Sequence, residues 1–232
     1  QAGPEIGVAS TKAYTLQVYT LTMLAIHFAE MRGEADPATL KAMKEDLLRG
    51  PELAVELLDR EDDVRAIAEK HYKKPNALYL GRGVNLPSAM EGALKLKEIS
   101  YMHAEGYSAG EMKHGPIALV EPDLLTVAIA TKGSVYDKMI GNIMEIKARS
   151  GPVVAVATDG DEQIPQTGVD EEADPGDIAA QPNDMLWVPE THELISPITT
   201  AIPLQLLAYH IAHLRGEDID QPRNLAKTVT VE

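Results

Sequence analysis

The sequence predicts an α/β protein whose parallel sheet has helices packed on both faces, which gives a three-layer sandwich. Two apolar runs rich in β-branched residues, 124–130 and 153–158, have the length of buried strands. Between them, residues 135–150 show helical spacing, and strand, helix and strand at that separation predict a parallel crossover. The 232 residues are 44% hydrophobic, which allows one large domain or one domain with an appendage.

Ahead of the sheet, the chain is predicted to form three helices. The first covers residues 12–31, between a Ser-Thr pair that can cap it and Gly33, a residue type common just after a helix. Its apolar residues lie on more than one face, which predicts burial against two surfaces or against a partner. Two amphipathic helices are expected over 37–48 and 51–72, because each range opens with a proline that suits a first helical turn.

The sheet is expected to start at residues 76–80, which end in the turn Gly81-Arg82-Gly83 and lead into a helix over 87–103. The polar stretch 104–115 has no hydrophobic periodicity and is predicted to be a loop. After the crossover unit we expect, in chain order, a surface excursion over 159–183, a strand over 185–188, a helix over 197–214 and a tail without helical spacing.

Charge and composition exclude several classes of function. A net charge of −15 argues against a nucleic-acid or anionic-membrane partner, because either would need clustered lysine and arginine. The chain has no cysteine, which excludes disulfides, a thiolate zinc site and a cysteine nucleophile within it. It has no apolar run of about 18 residues and no signal-peptide pattern, so a cytoplasmic protein with no metal site and no cofactor is expected.

The helix predicted over 87–103 carries charged residues on one face. Four residues spaced by four, three and four positions form a single row, namely Glu91, Lys95, Glu98 and Met102. On a protein surface this row would be an ordinary ion-pair ladder that contributes about 0.3–0.5 kcal/mol per pair. In a binding site it would instead hold a carboxylate next to an ammonium, so two interpretations are open.

Loops at the carboxyl ends of parallel strands are where open α/β sheets bind ligands. The turn Gly81-Arg82-Gly83 lies at such an end, where Arg82 would supply a positive fork, although a tight turn needs the same glycines. In the stretch 104–115, His114 is the best candidate for proton transfer. Histidines on helices, by contrast, are more often packed in the core or exposed to solvent than used for proton transfer.

The tail, residues 220–232, is too rich in leucine, valine and alanine for a solvated end, and we therefore predict that it docks. Lys227 lies in this segment. A lysine on a docked, partly apolar tail is desolvated, which lowers its pKa and makes a neutral amine available to attack a carbonyl. The alternative is a surface lysine that packs only its stem against the protein.

At these residues the sequence resembles a known family. Residues 92–101, Gly-Ala-Leu-Lys-Leu-Lys-Glu-Ile-Ser-Tyr, and 111–116, Glu-Met-Lys-His-Gly-Pro, resemble sugar isomerase (SIS) domains that handle phosphosugars. Residues 220–232 closely resemble the C-terminal end of the glucosamine-6-phosphate synthase family, and residues 5–12 resemble a segment of its isomerase module. The resemblance covers nearly the whole chain and implies a SIS-type fold.

That family converts fructose 6-phosphate and glutamine into glucosamine 6-phosphate and glutamate, so the resemblance implies sugar-phosphate ligands. Lys227 would form a Schiff base with the open-chain ketose, and Glu98 would move a proton between the first two sugar carbons. His114 would open the sugar ring and reach the active site of the neighbouring subunit, which implies a homodimer. The further sugar-site residues implied are Lys95, Val8, Ser10 and Ala226, and Arg82 is an additional substrate-binding candidate.

The same resemblance implies three parts, a helical remnant of a first SIS subdomain over 1–72, a second SIS domain over 73–216 and an active-site tail over 217–232. The family's glutaminase domain begins with a nucleophilic cysteine, whereas this chain begins with Gln1, so no glutamine hydrolysis is expected. The family's Ser/Thr-rich phosphate cradle precedes the segment that matches 5–12 and is expected to be missing. Little or no activity is therefore expected of the chain alone.

Two other functions are compatible with such a fold. A phosphosugar deaminase or deglycase could use the same domain, but the synthase-like tail argues against it. A non-catalytic sugar-phosphate sensor would not need Glu98, His114 and Lys227 together, so their joint presence argues against a pure sensor.

Overall fold

The computed structural model describes residues 2–226, and one five-stranded sheet organises them. Every strand pair is parallel, and the strand order is β2-β1-β3-β4-β5. The strands are Asn76–Gly81 (β1), His103–Ser108 (β2), Leu124–Ala130 (β3), Val153–Thr158 (β4) and Asp184–Val188 (β5). The helices are Lys12–Arg32 (α1), Pro37–Asp59 (α2), Glu61–His71 (α3), Asn85–Ser100 (α4), Tyr136–Lys147 (α5) and Ser196–Leu214 (α6).

Helices cover both faces of the sheet because successive strand residues point to opposite sides. Tyr79 and Val127 face one side and belong to a core cluster shared with α3, α4 and α6. Leu80 and Ala128 face the other side and pack with α5. Every residue of β3 and β4 is buried, as expected for central strands of a covered parallel sheet. The predicted three-layer α/β sandwich is confirmed.

A single helix, α2, stands where two separate helices are predicted. It runs without a break through Gly50 and Pro51, although a proline inside a helix leaves the carbonyl four residues earlier without its N–H donor. The hydroxyl of Tyr19 on α1 donates to that carbonyl, the oxygen of Leu47, over 2.7 Å. Gly50 makes room for the ring, since a Cβ there would lie 2.9 Å from Cε2 of Tyr19. The predicted boundary at Pro51 is therefore wrong, and the break falls at Arg60.

Residues 103–108 form the edge strand β2, where the sequence predicts the end of a helix and a polar loop. The preceding helix α4 ends at Ser100, because Tyr101 takes a left-handed conformation with a φ of 56°. β2 pairs with β1 along its whole length through backbone groups, and such pairing at a sheet edge needs no apolar periodicity. A short 3₁₀ helix, Ala109–His114, follows the strand.

The amino-terminal helices extend the helical layer beyond the sheet. α1, α2 and the start of α6 share a small apolar cluster that includes Ile26 and Ile198. The other side of α1 exposes large apolar side chains, with Leu21, Phe28 and Met31 at 64%, 56% and 71%. α1 thus buries only one of the apolar faces that its sequence shows. Within residues 2–226, no helix is long and apolar enough to cross a membrane.

Candidate active site

A cavity of about 330 Å³ lies where the amino-terminal segment, α4, α6 and the tail meet. This volume is in the range of small-molecule sites, which combine apolar walls with a few polar groups. The walls include Gly7, Ala9 and Thr11 from the amino-terminal segment, Lys95 and Ile99 from α4, and Tyr209 and Asp220 from α6 and the tail. The cavity thus joins segments that are far apart in the sequence.

Lys95 is the centre of a shielded charge cluster on α4. It is 4% exposed, and its Nζ lies 2.6 Å from Oε2 of Glu98 and 3.5 Å from Oε1 of Glu91. The Glu98 oxygen makes no hydrogen bond of good geometry, so the 2.6 Å contact is an ion pair. The side chains of Glu91 and Glu98 are 12% and 21% exposed. The row is therefore a charge cluster beside a cavity and not a solvated surface ladder.

Glu91 is a member of this row to which the sequence assigns no role. Burial raises the pKa of its carboxyl above the ordinary value, while the charge of Lys95 lowers it and that of Glu98 raises it. Tyr14 on α1 is linked to the same carboxylate, because burial and then the charge of Glu91 raise the pKa of its phenol. The helical spacing identifies Glu91, but no local pattern identifies Tyr14, which only tertiary packing brings close.

The described part of the tail contacts the rest of the protein beside the cavity at residues 219–223, and residues 224–226 are exposed. The N–H of Val8 donates to the carbonyl of Asp220 over 2.9 Å. The N–H of Arg223 donates to the hydroxyl of Tyr101 over 2.7 Å, and the guanidinium carbon lies 4.0 Å from the centre of the Tyr101 ring. Tyr101 directly follows α4, so these contacts fix the tail to the helix that carries the charge cluster. The docking predicted for residues 220–232 is therefore confirmed for residues 220–223, and residues 227–232 lie outside the described part of the chain.

The remaining predicted sugar-site residues lie at the edges of this arrangement. Ala226 is exposed at the end of the described tail, and Lys227 lies outside the described residues. Val8 and Ser10 are partly buried, but the cavity walls are formed by their neighbours in the amino-terminal segment. The contribution of Val8 is its backbone N–H, which holds the tail.

His114 does not line the cavity of its own chain in the part that the structure describes. It ends the 3₁₀ helix after the edge strand β2, and its side chain is 76% exposed. Its Nε2 lies 4.0 Å from Oε2 of Glu111, which is itself exposed. An imidazole in this position is accessible to another molecule.

Arg82 connects α5 and the 3₁₀ helix at the carboxyl edge of the sheet. Its Nε donates to Oδ1 of Asn142 on α5 over 3.0 Å, and its guanidinium packs against Gly110 of the 3₁₀ helix. Gly81 is required by the turn itself, since a Cβ there would lie 2.2 Å from the carbonyl oxygen of Asn85. The geometry of the turn accounts for Gly81, and Arg82 does not line the cavity that contains Lys95.

The arrangement suits proton transfer. Lys95 lines the cavity, whereas its partners Glu91 and Glu98 are not among the wall residues. A carboxylate held beside an ammonium can take a proton from a molecule that reaches it and return that proton. In residues 2–226 no group of three His, Cys, Asp or Glu side chains is placed to hold a metal ion. The carboxylates and the ammonium of the cluster are groups that can perform acid–base chemistry on an organic ligand.

The sequence of this chain is similar to those of known proteins. The family model described as SIS domain matches residues 71–215. Glutamine–fructose-6-phosphate aminotransferase (isomerizing) of Thermus thermophilus is 50% identical over 231 residues, which are 100% of this chain and 36% of that protein. The protein of the same name from Thermococcus kodakarensis is 48% identical over 231 residues, again 100% of this chain and 36% of the relative. The chain thus spans 36% of the length of these curated relatives.

Solved structures agree with this similarity. The C-terminal domain of glucosamine-fructose-6-phosphate aminotransferase from Francisella tularensis has a TM-score of 0.82 at 36% identity, covering 96% of this chain and 58% of that chain. A putative phosphosugar isomerase from Silicibacter pomeroyi has a TM-score of 0.62 at 26% identity, covering 94% and 58%. A glucosamine-6-phosphate deaminase from Thermotoga maritima, at 22% identity and a TM-score of 0.63, covers 97% and 58% and shares the fold.

Proposed function

The chain belongs to the SIS domain family, and on that premise we propose that it is the sugar-isomerase part of a glutamine–fructose-6-phosphate aminotransferase. In this role it converts fructose 6-phosphate and ammonia derived from glutamine into glucosamine 6-phosphate. The observation that carries the proposal is the carboxylate of Glu98, 2.6 Å from the ammonium of the shielded Lys95. That pair lies on the helix to which the tail is fixed four residues before Lys227.

The proposed reaction divides between the tail and α4. The amine of Lys227 attacks the C2 carbonyl of the open-chain ketose and forms a Schiff base with loss of water. Ammonia then displaces the lysine at C2 and leaves an imine. Glu98 removes a proton from C1 and returns one to C2, which passes through an enolamine and leaves an aldehyde at C1 after tautomerisation. The ammonium of Lys95 holds the carboxylate in place and can contact sugar hydroxyls.

Other parts of the proposal concern groups beyond this cavity. We propose a homodimer in which His114 opens the sugar ring in the active site of the partner subunit, because its imidazole is exposed away from the cavity of its own chain. The phosphate anchor and the source of ammonia belong to the upstream region of the longer relatives, so the chain alone has little or no activity. A cytoplasmic location suits this metabolic role.

Borohydride trapping tests the proposed function. A protein that carries this chain with the upstream region of its relatives is incubated with fructose 6-phosphate, reduced, and mapped by mass spectrometry. We expect an adduct at Lys227 that disappears in Lys227→Met and persists in Lys97→Met, a control on the exposed side of α4. The chain alone is expected to give no adduct, because its substrate anchor is incomplete.

The absence of an adduct in the longer protein would contradict the Schiff-base role and favour a sugar-phosphate sensor. An adduct at another lysine would contradict the assignment of Lys227. Turnover of fructose 6-phosphate and ammonia by the chain alone would contradict the proposal that the upstream region supplies the anchor.

The contact between Arg223 and Tyr101 is predicted to set the position of Lys227. Tyr101→Phe removes the 2.7 Å hydrogen bond and keeps the ring under the guanidinium, so we expect about a fivefold loss in trapping rate, in line with about 1 kcal/mol for one hydrogen bond. Arg223→Gln keeps the backbone N–H that makes this bond and removes the cation–π contact, so we expect about a two- to fivefold loss, in line with about 0.5–1 kcal/mol at an exposed site. Both rates are measured in the longer protein, together with its melting temperature.

Tyr72→Phe provides the matched control, because this partly buried tyrosine lies between α3 and β1. Among the described residues its hydroxyl makes no hydrogen bond to the tail, and its bond to Arg215 uses the backbone carbonyl. The melting temperatures of Tyr101→Phe and Arg223→Gln are expected to be close to that of the parent protein, since the tail adds little to the core. If trapping falls only in proportion to a loss of melting temperature, the contact has a general structural role and does not position the lysine.

A further inference from the structure

A second polar cavity, of about 480 Å³, lies at the amino-terminal edge of the sheet. It is formed by the end of α3, the end of α5 and the segment that leads into β5, and it shares no wall residue with the candidate active site. Its ionisable walls are the basic side chains of Lys70, His71, Lys74 and Lys147 and the single carboxylate of Asp184. This excess of basic groups is notable in a chain with a net charge of −15.

Lys147 is the most deeply buried of these basic groups, with 2% of its surface exposed. Its Nζ donates to the carbonyl oxygens of Ile178 and Gln181 over 2.6 and 2.8 Å, which uses two of its three donors. Among the described residues no carboxylate forms an ion pair with it. Burial lowers the pKa of the ammonium, and the more distant charges of Asp177 and Asp184 oppose that change. Buried charges in proteins are normally paired, so an anion bound in the cavity would stabilise this ammonium.

The other charges around the cavity do not fill that role. The carboxylate of Asp184 contacts Nζ of Lys70 and lies 2.8 Å from Nε2 of His71. These hydrogen bonds outweigh the effect of burial and hold the pKa of Asp184 below its ordinary value. Lys74 donates to the carbonyl of Pro122 over 2.7 Å, and its nearest carboxylate, Asp123, is 75% exposed at 3.4 Å.

Two polar atoms of buried wall residues lack a hydrogen-bond partner. They are Oδ1 of Asn183 and Nδ1 of His71, in residues that are 5% and 6% exposed. An amide oxygen accepts a proton from a donor group, and Nδ1 does the same when Nε2 carries the ring proton toward Asp184. A buried polar group without a partner costs about 1–3 kcal/mol. A ligand that carries both negative oxygens and a hydroxyl group would pair with the lysines and with these atoms.

We propose that this cavity is a binding site for a small phosphate-type oxyanion, either inorganic hydrogen phosphate or the phosphate group of a hydroxylated metabolite. Lys147 and Lys74 contact the negative oxygens, and Asn183 accepts from the hydroxyl group. The inference does not depend on the proposed function, because the two cavities have different walls. Bound anion also stabilises the fold, since it binds only where α5 and the segment before β5 are in place.

The imidazole of His71 provides a local probe for the test. Its ring resonance, assigned by its loss in His71→Gln, is followed by NMR while the described chain is titrated with sodium phosphate at constant ionic strength. We expect a saturable shift that sodium chloride does not produce. Phosphate bound in the candidate active site would not report here, because His71 is not part of that cavity.

Variants of the cations locate the site. Lys74→Gln is expected to weaken phosphate binding about tenfold, the loss expected for one hydrogen bond between charged groups. Lys147→Met is expected to abolish binding but also frees the carbonyls that Lys147 holds, so Lys74→Gln provides the decisive result. Lys41→Gln is the control, because Lys41 lies on α2 with its side chain 77% exposed and has only a surface ion pair.

Each outcome decides between the alternatives. A shift that is linear in phosphate, or equal with chloride, overturns the proposal, as does equal weakening by Lys41→Gln and Lys74→Gln. Glycerol 3-phosphate provides the second arm of the titration. Tighter binding of glycerol 3-phosphate than of phosphate supports the site and assigns it to a phosphorylated metabolite, and equal or weaker binding supports the site and assigns it to free phosphate.

Discussion

Replacing Glu98 with glutamine is expected to lower turnover by about 10²–10⁴-fold, the usual contribution of a positioned acid–base group. Glutamine keeps the size of the side chain but cannot accept the proton from C1. It also removes the negative charge 2.6 Å from Nζ of Lys95, which leaves that ammonium with Glu91. The measurement is glucosamine 6-phosphate formation from fructose 6-phosphate and added ammonia, in a protein that carries this chain with the upstream region of its relatives.

A matched control separates this effect from a general change of charge. Glu69→Gln on α3 removes an exposed carboxylate whose ion pair with Arg65 is also exposed, and turnover should be unchanged. The borohydride adduct at Lys227 should survive in Glu98→Gln, because Schiff-base formation precedes the proton transfer. Turnover of Glu98→Gln within a few-fold of the parent protein would refute the proposed role.

Replacing Lys95 with methionine is expected to lower the free energy of unfolding by about 3 kcal/mol at neutral to basic pH, the lower end of the range for breaking a buried ion pair. Methionine fills much of the space of the lysine stem, so the main loss is electrostatic. Two shielded carboxylates, Glu91 and Glu98, then face each other without the ammonium between them. Their partial contact with solvent keeps the expected loss at the lower end.

The loss of unfolding free energy in Lys95→Met should depend on pH, and the pKa of Glu91 determines in which direction. Its pKa is already raised by burial, and removing Lys95 takes away the charge that lowers it, so the folded-state pKa rises further. A carboxyl with a raised folded-state pKa destabilises the fold once pH exceeds that value and has no effect below its unfolded-state pKa. The deficit of Lys95→Met is therefore full at about pH 8 and small at about pH 4, where the unfolded carboxyl is also protonated.

Urea unfolding at these two pH values measures the difference. Lys97→Met, on the exposed side of the same helix, is the control and should change stability by less than about 0.5 kcal/mol at either pH. A deficit of Lys95→Met that is equal at both pH values would mean that lost packing of the lysine stem, and not the unpaired charges of the shielded carboxylates, causes the destabilisation.

Much of the fold could be predicted from local sequence patterns. β3 and β4 have the predicted bounds, because a β-branched run buried on both faces is a strong signal by itself. α1 extends one residue beyond its prediction to Arg32, since Gly33 adopts the left-handed φ of 64° that commonly ends a helix. The polar edge strand β2 carries no such signal, because backbone pairing with β1 holds it in place.

The candidate site, like the fold, could be predicted from the sequence only in part. Helical spacing was sufficient to place Glu91, Lys95 and Glu98 on one face, but it could not distinguish a surface ladder from a shielded cluster. That difference arises because α4 packs against α6 and beside the amino-terminal segment and the tail, which close around Lys95. The basic cavity at the amino-terminal edge of the sheet had no sequence signal, since its lysines come from α3, α5 and the segment that follows α3.

By itself, the sequence determined the fold class, the row of charges on α4 and the docking of the tail, because these depend on composition and spacing within one segment. Only the tertiary structure decided that α2 continues through Pro51, that Lys95 is buried and that the tail rests on Tyr101. Each of these depends on a partner distant in the sequence, such as the Tyr19 hydroxyl that replaces the missing N–H donor. Local spacing contains no information about such a partner, because the packing of the folded segments determines which distant residue comes into contact.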